Sequence, residues 1–198
     1  MKQTIKTGCL FGSFNPIHIG HLLVAEYMAT RTDLDEVQLI VSPQNPLKQQ
    51  QGLAQDVHRL AMARLATSSN NGLVVNDLEF ELAKPSYTIA TLDELAGRHP
   101  DRSFKLIMGS DNLALFRKWR DWERILSDYG CYVYNRPGNP PGDLEGADGV
   151  EYFDAPLINI SATYIRECLL HGFSTRYLMP NSVAEYIGEH DVYPFQTK

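Results

Sequence analysis

The chain has 198 residues, of which 43% are hydrophobic and 21% charged, and its net charge is −6. These values fit a single globular domain over 1–198 with a full core, and argue against broad binding to nucleic acid or to an anionic membrane. Three widely spaced cysteines, Cys9, Cys131 and Cys168, fit neither a disulfide framework nor a zinc site, which points to the reducing cytoplasm. There is no apolar run of membrane-spanning length and no signal-peptide pattern at the N-terminus.

In chain order, Cys9, Leu10 and Phe11 end a buried strand that begins near Thr4. Gly12 then permits a sharp turn or a close backbone approach to a ligand. A helix follows, with Leu22, Leu23, Ala25 and Met28 at helical spacing. The next strand covers 36–41 and runs into a loop with two prolines, 42–48. Residues 56–68 read as a helix, with Val57, Leu60, Ala61, Arg64 and Leu65 at helical spacing. A third strand spans 73–77, and 79–82 reads as its extension or as an edge. A helix over 88–96 ends at Gly97. The fourth strand, 103–108, closes in a turn over 109–112. Residues 113–129 read as one aromatic-rich helix carrying Phe116, Trp119 and Trp122. A fifth strand at 131–134 is followed by a Pro- and Gly-rich surface excursion, 139–149, and a short strand at 150–154. Ile160 to Thr163 open a helix that runs to Leu170, with His171-Gly172 as its stop. The last helix spans 180–189, with Pro180 in its first turn.

Strands alternating with helices predict an α/β domain, Rossmann-like and doubly wound on a mostly parallel sheet. Ligands of such sheets sit beyond the C-terminal strand ends, near the switch in strand order.

The first strand-to-helix passage carries most of the chemical signal. Taken singly, a glycine loop or a histidine at a helix start has an ordinary structural explanation. Together, Gly12, Ser13, Phe14, Asn15 and Pro16 followed by His18 and His21 point to phosphate. A helix N-terminus offers unbonded N–H groups and partial positive charge, and His-x-x-His puts two imidazoles on one side of it. A second signal is Ile160-Ser161-Ala162-Thr163-Tyr164-Ile165-Arg166. Ser161 is a good N-cap, and Thr163 and Arg166 share one side of the first turns. Taken by itself, that stretch reads rather as an ordinary capped helix with a surface arginine.

The run from Gly12 to His21 resembles the signature of the nucleotidyltransferases related to class I aminoacyl-tRNA synthetases, and within them the bacterial nicotinate-nucleotide adenylyltransferases. Where many members have Asp, this chain has Asn15. The resemblance implies that the phosphate of nicotinate mononucleotide attacks the α-phosphorus of ATP and expels pyrophosphate. It also implies Mg²⁺ arriving with ATP, held mainly by phosphates and water.

Several site roles come with the resemblance. His18, His21, Lys48 and Arg166 would be the catalytic set, with Lys48 in a loop whose Leu47 replaces the family's usual His. Gly12, Ser13, Phe14, Gly109, Asp111, Ile160, Ser161 and Thr163 would join His18, His21 and Arg166 on ATP. Ser13, Asn15, Lys48, Ser86, Tyr87, Thr88, Trp119 and Arg136 would hold the pyridine nucleotide. Without the resemblance, Lys48 reads as a solvated loop lysine, Trp119 equally as core packing, and Arg136 equally as a surface residue.

Three rival readings fit the sequence less well. An aminoacyl-tRNA synthetase needs a longer chain and a K-M-S-K-S segment. Phosphopantetheine adenylyltransferase usually opens with T-x-x-H. A non-catalytic nucleotide sensor would not need both histidines and Arg166. The expected partners are ATP and nicotinate mononucleotide, with no nucleic acid and no membrane; homo-oligomerisation stays open.

Overall fold

The computed structural model describes residues 4–43, 52–136, 138 and 142–194. Six strands form one parallel sheet: β1 (Ile5–Gly12), β2 (Glu36–Val41), β3 (Leu73–Asn76), β4 (Arg102–Gly109), β5 (Cys131–Tyr134) and β6 (Val150–Phe153). Their order is β3-β2-β1-β4-β5-β6. The chain winds outward from β1 in one direction, then returns to the other side of β1 with β4. The crevice between these two strands is therefore where the loops diverge.

The strands are nearly continuous apolar runs, as a sheet covered on both faces requires. Successive side chains alternate faces. Leu10 joins one core with Val24, Met28, Met62, Ile165 and Val183. Its neighbour Cys9 joins the opposite core with Ile89, Leu92, Leu106 and Phe116. Helices α1 (Ile19–Arg31) and α2 (Asp56–Thr67) thus cover one face, and α3 (Thr88–Arg98) the other. The register levels the carboxyl ends, with Gly12 opposite Val41 and Gly109 opposite Tyr134.

Four expectations are corrected. Residues 79–82 do not extend β3, because a 3-10 turn forms at Leu78–Phe80 and buries Glu79. Gly97 does not stop α3, which runs on to Arg98. The turn after β4 is a short helix, α4 (Ser110–Leu113). The single helix over 113–129 is instead a broken path. It passes through a 3-10 turn at Phe116–Lys118, α5 (Trp122–Arg124) and a π-helix at Ile125–Tyr129. Asp121, in the left-handed region at φ 52°, breaks the helical run. The last two helices, α6 (Ala162–Leu170) and α7 (Asn181–Glu189), fall where the sequence put them, although Pro180 caps α7 from outside. Among the described residues no helix is long and apolar enough to cross a membrane.

The face of α2 also differs from the helical reading. Arg59, Met62, Ala63 and Thr67 are buried, while Val57 is 60% exposed. Leu39→Ala in β2 is therefore expected to cost ~2–5 kcal/mol in urea unfolding, and Val57→Ala to stay within ~0.5 kcal/mol of the parent.

Candidate functional site

Between β1 and α1 the chain makes a tight passage that fixes two imidazoles. Phe14 sits in the left-handed region at φ 45°, a strained setting for a large side chain. Its ring lies over Gly12, where a β-carbon would come within 2.9 Å of it. The required close approach at Gly12 is thus to Phe14. The same ring meets His21 edge-on at 5.1 Å.

His18 is the N-cap of α1 in extended geometry, and His21 is its third residue. Their rings stack at 3.7 Å. The His18 N–H donates to Nδ1 of His21 at 3.3 Å, which leaves the neutral His21 ring with its proton on Nε2. Gly20 makes room for this pair, since a β-carbon there would sit 3.0 Å from the His18 ring. His18 is 5% exposed, and its Nδ1 has no hydrogen-bond partner among the described residues. Burial, then the charge of Arg136, push its pKa down to about 4. The ring is neutral at pH 7 and can donate to phosphate without being charged beforehand.

The start of α6 comes to the same place. Ser161 caps the helix by accepting from the Tyr164 N–H at 3.1 Å. Arg166 donates to the main-chain carbonyl of Asn15 at 2.7 Å and to Thr163 Oγ1 at 3.2 Å. The carbonyl of Ile160 lies 4.0 Å from where a Gly20 β-carbon would be. The two motifs, 151 residues apart at the Asn15–Arg166 contact, are one structure.

The rim over β4 and β5 completes this side. The Arg136 N–H donates to Ser110 Oγ at 2.8 Å, and its Nε lies 3.7 Å from Asp111 Oδ1. A β-carbon on Gly109 would press on the same Asp111 oxygen.

The pyridine-side residues are more dispersed. Tyr87 caps α3 and Thr88 begins it, with the Arg120 guanidinium 4.9 Å over the Tyr87 ring. Ser86 is buried, and its hydroxyl donates to Glu79 at 3.0 Å, so it supports the segment from behind. Trp119 packs against Phe116 at 5.3 Å, and its Nε1 has no partner among the described residues.

Asn15 is turned away from the role expected of it. Its side chain donates to the Gly52 carbonyl at 2.8 Å and accepts from the Ala54 N–H and the Tyr193 hydroxyl. These contacts occupy it with scaffold. Ser13 is half-buried, and its carbonyl accepts from Arg59. Lys48 and Leu47 lie outside the described residues.

Sequence reasoning missed Arg59, Glu79 and Tyr193. Arg59 left one signal, because it shares a helix face with Met62 and Ala63 at i+3 and i+4.

A family model described as cytidylyltransferase-like matches residues 9–168. A protein of Flavobacterium johnsoniae named "Probable nicotinate-nucleotide adenylyltransferase" is 41% identical over 96% of this chain and 99% of its own length. One of the same name from Cytophaga hutchinsonii is 46% identical, over 92% of this chain and 95% of its own. The fold matches nicotinic acid mononucleotide adenylyltransferase from Plasmodium falciparum, solved with NaAD. That match has a TM-score of 0.80 at 18% identity and covers 98% of this chain and 100% of that one.

With its pKa near 4, His18 should not titrate between pH 5.5 and 8 in the ligand-free protein, as read from its imidazole resonances. The unfolded ring takes its proton near the ordinary value of 6.5 and the folded ring only near 4. Stability is therefore lost as pH falls through that window and levels off below it. His18→Asn should flatten that part of the stability profile.

Proposed function

Because the chain belongs to the cytidylyltransferase-like family and, within it, to the nicotinate-nucleotide adenylyltransferases, we propose that it joins ATP and nicotinate mononucleotide into nicotinate adenine dinucleotide. An oxygen of the mononucleotide phosphate bonds to the α-phosphorus of ATP, the bond to the β-phosphate oxygen breaks, and pyrophosphate leaves with its electron pair. The attacking oxygen is ionised near neutral pH, so no general base is needed. The protein's task is to align two polyanions and stabilise charge at phosphorus.

The observation that carries this reading is the Arg166 guanidinium bonded to the Asn15 carbonyl, three residues before His18. It brings a guanidinium, two imidazoles and two helix N-termini to one side of the β1–β4 crevice. His18 and His21 would meet the ATP phosphates, with His18 at the α-phosphate. Thr163, Arg166 and the Ser161–Ala162 helix start would take the outer two. Gly109 and Asp111 would border the adenosine, with Arg136 beside Asp111. Main-chain N–H groups at Tyr87 and Thr88 would take the nicotinate carboxylate, and the open face of Trp119 its ring. Lys48 is assigned to the transferring phosphate on sequence grounds alone.

Mg²⁺ would come bound to ATP, held by phosphate oxygens and water. The buried free cysteines and the net charge of −6 support a cytoplasmic enzyme that acts on small nucleotides without nucleic-acid or membrane partners.

Pyrophosphate release is the direct assay, with ATP and Mg²⁺ supplied alongside nicotinate mononucleotide, nicotinamide mononucleotide or phosphopantetheine. His18→Ala should lower turnover ~10²–10³-fold with the fold intact, as loss of one charge-stabilising donor does. A soluble, fully active variant would remove His18 from the mechanism. Trp119→Ala should raise KM for the pyridine nucleotide more than for ATP, and equal losses would make Trp119 a packing residue.

A further inference from the structure

Arg59 has no solvent exposure. A guanidinium so placed is tolerated only when its donors are all bonded, and all five of its N–H groups are. Nε donates to the Ala54 carbonyl at 3.1 Å. One terminal nitrogen donates to the carbonyls of Ser13 at 2.6 Å and Ser42 at 2.7 Å. The other donates to the Pro43 carbonyl at 3.4 Å and to the Asp56 carboxylate.

Four of the five acceptors are backbone carbonyls, and they come from three separate stretches. These are the turn after β1, the end of β2 and the lead-in to α2. The planar fork of Arg59 fixes their mutual spacing in a way a single ammonium cannot. The pull on Ser13 has a further effect. In a trans peptide the carbonyl and the following N–H point in opposite directions. With the Ser13 carbonyl drawn inward to Arg59, the Phe14 N–H is turned away from Arg59. Phe14 is 1% exposed, and its N–H meets no acceptor among the described residues. An oriented buried donor without a partner is costly unless something supplies an acceptor.

We infer that Arg59 is a positioning residue for the transfer. It touches no substrate; it holds the Ser13–Phe14 peptide so that the Phe14 N–H faces the triphosphate, and it locks that turn to the end of β2. The inference rests on the adenylyltransferase reading, and its test separates the two.

Arg59→Lys keeps the charge but cannot reach all five acceptors. Well below its melting temperature, this variant should show kcat lowered ~10–100-fold, the scale of a small misplacement, with KM for nicotinate mononucleotide within about twofold of the parent. A purely structural arginine would lower the melting temperature and leave kcat of the folded protein unchanged, and that result would overturn the proposal. Amide resonances give a readout that needs no turnover. Added α,β-methylene-ATP should shift the Phe14 amide in the parent, and this shift should shrink in Arg59→Lys; equal shifts would also overturn the proposal. If Arg59→Lys does not fold, Asp56→Asn, which changes one half-exposed acceptor, should give a smaller fall in kcat and a smaller Phe14 shift, and parental values for both would overturn it. A parent that releases no pyrophosphate refutes the adenylyltransferase reading, and the amide comparison still decides Arg59.

Discussion

The peptide at Asn15 is the junction on which the site's geometry depends. Its amide group is bonded to Gly52, Ala54 and Tyr193, and its carbonyl to Arg166. Four distant stretches therefore meet at a residue that is 5% exposed. Each such bond adds only ~0.5–1.5 kcal/mol net, but a buried group left unpaired costs ~1–3 kcal/mol, so the set holds together or fails together. The departure from the commoner Asp of the resembling family has a physical reason here. An ionised carboxylate cannot donate to the Gly52 carbonyl, whereas the amide donates there and accepts from the other two.

The sheet order makes such a junction possible. With β1 and β4 adjacent at the centre and the chain leaving in opposite directions, the loops at their carboxyl ends have room to open. Helices α1 and α6 both pack on the Leu10 face of the sheet, and the Asn15–Arg166 contact joins their starts. The charges around the crevice do different work. Arg166 and Arg136 lie at the rim, while Arg59 lies behind it with no exposure. A cation in front of a phosphate site can attract the ligand, and one behind it shapes the peptide that does.

How much of this was legible depended on how local the signal was. The strands were read well because a parallel sheet buried on both faces needs apolar runs, and 36–41 and 131–134 are such runs with turns on either side. The Ser161 cap and the paired histidines were legible because each partner lies three residues from the other. The helical reading of 113–129 failed because Asp121, in the left-handed region, breaks the path between Phe116 and Trp122. Of Phe116, Trp119 and Trp122, only Phe116 is fully buried, and the two tryptophans pack on its sides. The face of α2 was misread because the spacing through Val57, Leu60 and Leu65 carried Arg64 with it, whereas the structure exposes Arg64 and buries Arg59. Asn15 and Ser86 were read as ligand-facing because their partners lie outside the motif. For Asn15 the reach is to residues 37 to 178 positions away.

The bond between Tyr193 and Asn15 spans 178 residues. A polypeptide is made from its amino end at ~5–20 residues per second. The histidine turn is thus made roughly 10–35 s before the tyrosine that braces it, at those rates. Until then the imidazoles are present on the growing chain without the full frame that aims them, and the nucleotide pocket is completed only once Tyr193 has emerged.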